Sequence, residues 1–259
     1  MKKLGLALGA GGSRGIAHIG FLEALENAGI KPDYIVGCSM GAVVGGAYAA
    51  GIDLKTMKQA VFKLRLLDLI TPAKQKGGMF GTQKMRNLIA KHVGDISFEE
   101  LKLPFHSIAV DMLTQRVVEF SEGSVVDAIV ASASIPAIFH PLVKDGMHLV
   151  DGCVLERVPA MRVKALGADV VVAVDVLGWL QAKEDMSGTV GVLLETFDVM
   201  DNYRTKTYHK SHKKQIDFWL EPELGSMSQY TLKKSLFAYH KGYELGEQYA
   251  PKIKEALQE

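Results

Sequence analysis

Twice in its first 50 residues the chain runs from an apolar segment of strand length through a glycine turn into a segment of helical length. Leu4 to Leu8 leads through Gly9-Ala10-Gly11-Gly12-Ser13-Arg14-Gly15 into Ile16 to Asn27, which stops at Gly29. Tyr34 to Cys38 then leads through Gly37-Cys38-Ser39-Met40-Gly41 into a small-residue helix, Gly41 to Ala50. The apolar runs read as buried strands. A strand joined to the next strand through a helix makes a parallel pair, because the helix carries the chain back to the starting edge. The opening therefore predicts an α/β fold, a mostly parallel sheet covered by helices.

Further strands are expected at His106 to Val110, Val117 to Phe120, His148 to Val150 and the β-branched run Val170 to Val176. Helical patterns fall at Thr82 to His92, Val125 to Ala131, Pro159 to Leu166, Val190 to Tyr208 and Leu236 to Leu257, the last broken near Pro251. No repeat or low-complexity linker divides the 259 residues, so residues 1–259 read as one domain. With 48% hydrophobic and 23% charged residues, the chain can fill a core and lacks the composition of a disordered one. The stretch from Lys63 to Gly81 is different: it mixes Leu and Ile with Lys and Arg and has no sustained period, as lids and binding loops often do.

Charge and cysteine remove several function classes. Thirty Lys and Arg against 29 Asp and Glu leave a net charge of +1, so no overall field draws the chain to nucleic acid or an anionic membrane. Cys38 and Cys153 are too few for a disulfide framework or a structural zinc site, and a reducing compartment is expected. Lys2 and Lys3 before Leu4 to Ala10 imitate a secretory signal, but glycines and Ser13-Arg14-Gly15 interrupt it. No apolar run approaches the roughly 18 residues of a membrane span. A cytoplasmic protein is the expectation.

Gly37-Cys38-Ser39-Met40-Gly41 is a G-x-S-x-G at a strand-to-helix junction. A tight turn there lifts the serine hydroxyl above the sheet edge, and side chains two positions away on either side collide. The next backbone N–H opens a helix, where partial positive charge favours a developing oxyanion. Short glycine-flanked serines also arise by chance as helix caps; the strand before and the helix after favour a nucleophile.

The first glycine turn fits neither nucleotide motif. The sixth position of a dinucleotide G-x-G-x-x-G is Arg14 here, no acidic residue closes the second strand, and the Gly-Lys-Ser/Thr of a phosphate-binding loop is absent. What remains is a turn whose N–H groups lie on the same sheet edge as Ser39, since parallel neighbours end on the same side. Gly11 and Gly12 are then candidate oxyanion donors, with Arg14 fixing the loop or a substrate head group; close helix packing is the plain alternative.

A serine needs a base. Only one strand precedes Ser39, too few for an α/β-hydrolase scaffold, and none of the eight histidines has a strong local context, although His140 and His148 could be buried. Asp151 follows a short strand and precedes Gly152, so its carboxylate could reach Ser39 at a strand end, with burial raising its basicity. From the dipeptide alone, an Asp-Gly hairpin turn is the simpler reading.

In order along the chain, GAGGSRG, GCSMG, Ala131-Ser132-Ala133-Ser134-Ile135-Pro136, Asp151-Gly152-Cys153, Val158-Pro159 and Gly167-Ala168-Asp169 resemble the patatin-like phospholipase family. The likeness is greatest to its compact bacterial branch and covers most of the first 180 residues. It implies a three-layer α/β/α sandwich and a Ser-Asp dyad in place of a triad. Ser39 becomes the nucleophile, Asp151 the base, and Gly11, Gly12, Ser13 and Arg14 the oxyanion loop. The chemistry implied is hydrolysis of phospholipid, lysophospholipid or fatty-acyl esters through an acyl-Ser39 intermediate, with no metal or organic cofactor. The third place of the acid motif departs from the family's usual Gly or Ala. Cys153 is small enough to fill it, though crowding or thiol chemistry becomes possible; Cys38 reads as a packing residue.

Two other functions use the same residues. An acyltransferase would pass the acyl group from Ser39 to an acceptor other than water, and a non-catalytic regulatory protein could keep the fold, against which the intact Ser39 and Asp151 argue. In the stretch from Lys63 to Gly81, Leu64, Leu66, Leu67, Leu69, Ile70, Met79 and Phe80 stand beside Lys63, Arg65, Lys74 and Lys76. Either these leucines complete the core, the reading their spacing favours, or they make a transient contact with a membrane surface.

Overall fold

The fold is described from a computed structural model for residues 2–72, 78–178 and 188–258. β1 (Leu4–Leu8) passes through a tight 3-10 turn into α1 (Ala17–Asn27), and β2 (Tyr34–Cys38) passes directly into α2 (Met40–Ala49). α3 (Leu54–Lys63), α4 (Leu66–Leu69), the two-residue ribbon of β3 (Thr71–Pro72) and β4 (Phe80–Gly81), and α5 (Gln83–Val93) precede β5 (Phe105–Asp111) and β6 (Arg116–Phe120). After α6 (Val125–Ser132) come the hairpin of β7 (Leu142–Lys144) and β8 (Met147–Asp151), α7 (Ala160–Ala165), β9 (Val170–Val174), α8 (Thr189–His212), β10 (Phe218–Leu220) and α9 (Ser235–Gln258).

The main sheet has the order β10-β9-β1-β2-β5-β8-β7, with β6 on the other edge of β5. From β10 to β5 the neighbours are parallel, and β6, β7 and β8 form an antiparallel flank. Alternation sorts the side chains: Leu4, Leu6, Leu8, Val170, Val172 and Val174 enter one core with α1, α2, α6 and α9. Ala7, Val36, Ile108, Val171 and Ala173 face the other layer, where Val163 of α7 and Tyr208 of α8 meet them. Helices on both faces make the three-layer sandwich.

Several expectations need correction. α9 runs through Pro251 without a break. Pro251 removes the helical partner of the Glu247 carbonyl, but both residues are exposed, so water takes that bond while Ala250 and Ile253 hold the segment on the core. The irregular stretch contains α4, and Leu64, Leu69, Ile70, Met79 and Phe80 line an apolar cavity, whereas Leu67 is 66% exposed. Lys74 and Lys76 lie outside the described residues. His148 is exposed on β8, and His140 is half-buried. Among the described residues no helix is long and apolar enough to cross a membrane.

Candidate active site

β5 is the ruler that brings Ser39 and Asp151 together. The first half of one edge pairs with β2, placing Cys38 opposite Ile108; the second half of that edge pairs with antiparallel β8, placing Asp151 opposite Ala109. The other edge is taken by β6, opposite both halves. β2 and β8 therefore meet end to end on adjacent rungs, and the residues at their tips face each other. Gly152 permits this approach, since a Cβ there would come within 2.6 Å of the Ile108 carbonyl oxygen and 2.9 Å of Cys38 Sγ. Asp151-Gly152 opens a 3-10 turn, Gly152–Val154, and is not a hairpin tip.

Ser39 sits at φ 53 and ψ −121, a backbone state that costs a side-chain-bearing residue about 1–3 kcal/mol and survives only where neighbours impose it. The flanking glycines make the turn sterically possible: a Cβ on Gly41 would lie 2.0 Å from the Leu8 carbonyl oxygen, and one on Gly37 would lie 2.5 Å from Ala42 Cα. The Ser39 N–H donates to Ser132 Oγ at 2.8 Å. Ser39 caps α2, and the Met40 N–H that follows has no acceptor among the described residues.

Asp151 is fully buried. Its Oδ1 accepts the Cys153 N–H at 2.9 Å and faces the Cys38 thiol at 3.7 Å, while its own N–H donates to the Ser134 carbonyl at 2.9 Å. Burial raises its pKa to about 6, against the opposing influence of the Ser39 hydroxyl. Oδ2 is buried without a bond of full hydrogen-bond geometry, although the nearby Ser39 hydroxyl favours the ionised form. Catalytic hydrogen bonds often tighten only around substrate. Burial pushes both the Cys38 and Cys153 thiols well above their ordinary range, so neither is a thiolate nucleophile at neutral pH. Among the described residues no histidine bonds Ser39 or Asp151; His18 donates from Nε2 to the Gly9 carbonyl, and burial lowers its pKa to about 4.

The N–H groups of the glycine loop divide into bonded and open ones. Ser13 gives its N–H to the Gln229 carbonyl and Arg14 gives its N–H to Gly11, so neither is open to a ligand. The Arg14 side chain is buried against the carbonyls of Val176, Leu177, Gly225 and Met227 and holds the loop instead of reaching a head group. Among the described residues the Gly11 and Gly12 N–H groups have no acceptor. Gly12 has φ 50, and a Cβ on it would meet the Gln229 carbonyl oxygen at 2.3 Å.

Gly12, Ser13, Ser39 and Met40 open onto a cavity of about 370 Å³ with an apolar wall, built largely from α2, α3, α5 and the segment after α6. Two supports had no clear signal in the sequence. Ser132 and Ser134 belong to the segment 131–136, in which their residue types alone point to no role. Arg157, fully buried, bonds Asp175 at 2.6 Å and Asp201 at 2.8 Å, while its carbonyl accepts the Ala10 N–H. Arg204 joins Asp201 to the carbonyls of Cys153 and Val154. This ionic cluster braces the glycine loop and the turn after Asp151 together. An arginine between Glu156 and Val158 looks like any surface charge until the fold closes over it.

The chain is similar to known proteins in sequence and in fold. An NTE family protein of Mycobacterium tuberculosis is 35% identical over 178 residues, 68% of this chain and 49% of that protein. Lysophospholipase nte1 of Emericella nidulans is 35% identical over 184 residues, 68% of this chain and 12% of that protein. The chain thus spans about half of the mycobacterial relative, at 49%, and far less of the fungal one. VipD from Legionella pneumophila superposes with a TM-score of 0.64 at 12% identity, covering 97% of this chain and 67% of that one. The type III effector protein ExoU gives 0.51 at 14% identity, covering 100% of this chain and 54% of that one. These two share the fold. The profile described as Patatin-like phospholipase matches residues 6–164, the stretch that holds both glycine turns, Ser39, the Ser132–Ser134 segment and Asp151, and this chain belongs to that family.

Proposed function

We propose that the chain is a lipolytic serine hydrolase in which Ser39 and Asp151 act as a dyad on a fatty-acyl ester. The observation that carries the reading is the end-to-end meeting of β2 and β8 on one edge of β5, which sets a strained serine beside a buried carboxylate at the apolar cavity. Ser39 Oγ attacks the acyl carbon as its proton passes to Asp151. The carbonyl oxygen becomes an oxyanion facing the N–H groups of Gly11, Gly12 and Met40, which among the described residues have no partner to give up. Asp151 returns the proton to the leaving alcohol. Water, deprotonated by the same carboxylate, then attacks the acyl carbon of acyl-Ser39, and Asp151 passes that proton to the departing Ser39 Oγ as the acid is released.

The cavity selects the acyl side of the ester, since its wall offers apolar contact along α3 and α5. The neighbouring stretch from Lys63 to Gly81 supports a transient membrane contact, with Leu67 exposed beside Lys63 and Arg65. On a soluble chromogenic ester, Ser39→Ala, Asp151→Asn and the double variant are expected to fall to one shared floor, because residues acting as a unit lose activity non-additively. Near wild-type turnover by Ser39→Ala overturns the reading. A product analysis showing acyl transfer in place of free acid directs the same intermediate to a different acceptor.

A further inference from the structure

The sequence segment Ala131-Ser132-Ala133-Ser134 closes α6 and carries two fully buried hydroxyls. Buried hydroxyls are costly unless they are bonded, so their partners show what they are for. Ser132 Oγ accepts the Ser39 N–H at 2.8 Å. Two residues on, the Ser134 carbonyl accepts the Asp151 N–H at 2.9 Å, and Ser134 Oγ donates back to the Val130 carbonyl at 2.7 Å. Between them Ala133 lines the cavity, followed by Ile135. The helix behind them is fixed at Asp127, which pairs with Arg86 of α5 at 2.8 Å and Lys144 of β7 at 2.7 Å.

We infer that Ser132-Ala133-Ser134 is a clamp that sets the register between nucleophile and base, with Ser132 as a positioning residue. The inference rests on the Ser39–Asp151 reading above. Ser39 holds a backbone state that relaxes once its N–H loses an acceptor, and that relaxation turns the hydroxyl away from Asp151. Among the described residues no other group takes the Ser39 N–H. Because one short stretch grips both backbones, a shift of α6 moves the two partners together, and loss of one grip separates them. Ala133 places that stretch on the wall of the cavity proposed to take the acyl chain, so the same surface borders the substrate and holds the reacting pair.

The test is steady-state hydrolysis of a soluble ester alongside the rate of fluorophosphonate labelling at Ser39. Ser132→Ala is expected to lower kcat by about 100-fold, the scale of a misplacement near 1 Å, with KM unchanged and labelling slowed in parallel. Ser132→Thr, which keeps the acceptor oxygen, restores most of the rate. Ser107→Ala is the control: it removes a buried hydroxyl bond to the Ala128 carbonyl of the same helix, at 3.2 Å, without touching either grip, and keeps wild-type kcat. Wild-type kcat in Ser132→Ala overturns the clamp, as does an equal loss in Ser107→Ala, which marks general loosening of α6. If Ser132→Ala does not fold, Ser132→Cys, whose sulfur is a weak acceptor for the Ser39 N–H, is read the same way: a lower kcat at unchanged KM supports the clamp, and wild-type kcat overturns it. Absence of any Ser39 adduct in the wild-type protein overturns the underlying reading instead.

Discussion

Asp151 carries a conflict that its position explains. A base must be ionised to accept a proton, yet burial favours its neutral form and raises its pKa to about 6. kcat/KM is therefore expected to rise about tenfold per pH unit below 6 and to level off above it; a profile still falling below a pH near 4 only would exclude this carboxylate as the base. The same shift affects stability. The folded protein keeps the proton to a higher pH than the unfolded chain, whose ordinary value is 3.8, so Asp151's contribution is full below about 4 and is lost as pH rises through 6. Asp151→Asn should then be more stable than wild type at pH 8 by on the order of 3 kcal/mol and equal to it near pH 3, while inactive at both. Paired urea titrations at the two pH values check this. Equal stability at pH 8 would show that the buried charge costs nothing.

Between α1 and α9 the packing is set by backbone contact. A Cβ on Gly242 would lie 1.8 Å from the Ala17 carbonyl oxygen, and one on Gly20 would lie 2.0 Å from that of Tyr239. Gly242→Val is expected to destabilise the protein by about 3 kcal/mol or more, as overpacking against backbone does, measured by chemical denaturation. A near-neutral effect would mean that the helices can separate freely. These elements also show what a sequence can reveal. The strands β1, β2, β5 and β9 and the elbow at Ser39 were legible because apolar runs and glycine turns are local signals. Asp151 was ambiguous as a dipeptide, because its meaning lies in β8 meeting β2 on a third strand, a contact of high sequence separation. Pro251 misled because the local rule counts the lost N–H bond but not the hydration and packing that offset it. Arg157 was silent because burial, not residue type, turns its charge into a brace.

Across the whole molecule the Ser39 end of β2 opens onto the apolar cavity, and residues in and around α4 complete that cavity's wall. Leu67 does not line the cavity, whereas Leu64, Leu69 and Ile70 on either side of it do. Leu67→Glu is accordingly expected to lower hydrolysis of an ester held in anionic vesicles by about tenfold, the equivalent of roughly 1.4 kcal/mol of surface contact, and to leave a soluble short-chain ester untouched. Equal activity on vesicles would remove this residue from the lipid contact. The central claim, that a strained Ser39 is activated by the buried Asp151, is tested most directly by fluorophosphonate labelling followed by peptide mass spectrometry. The structure predicts one adduct, on Ser39, whose formation rate has a pH midpoint near 6 and collapses in Asp151→Asn; an adduct at another residue, or wild-type labelling in Asp151→Asn, would contradict it.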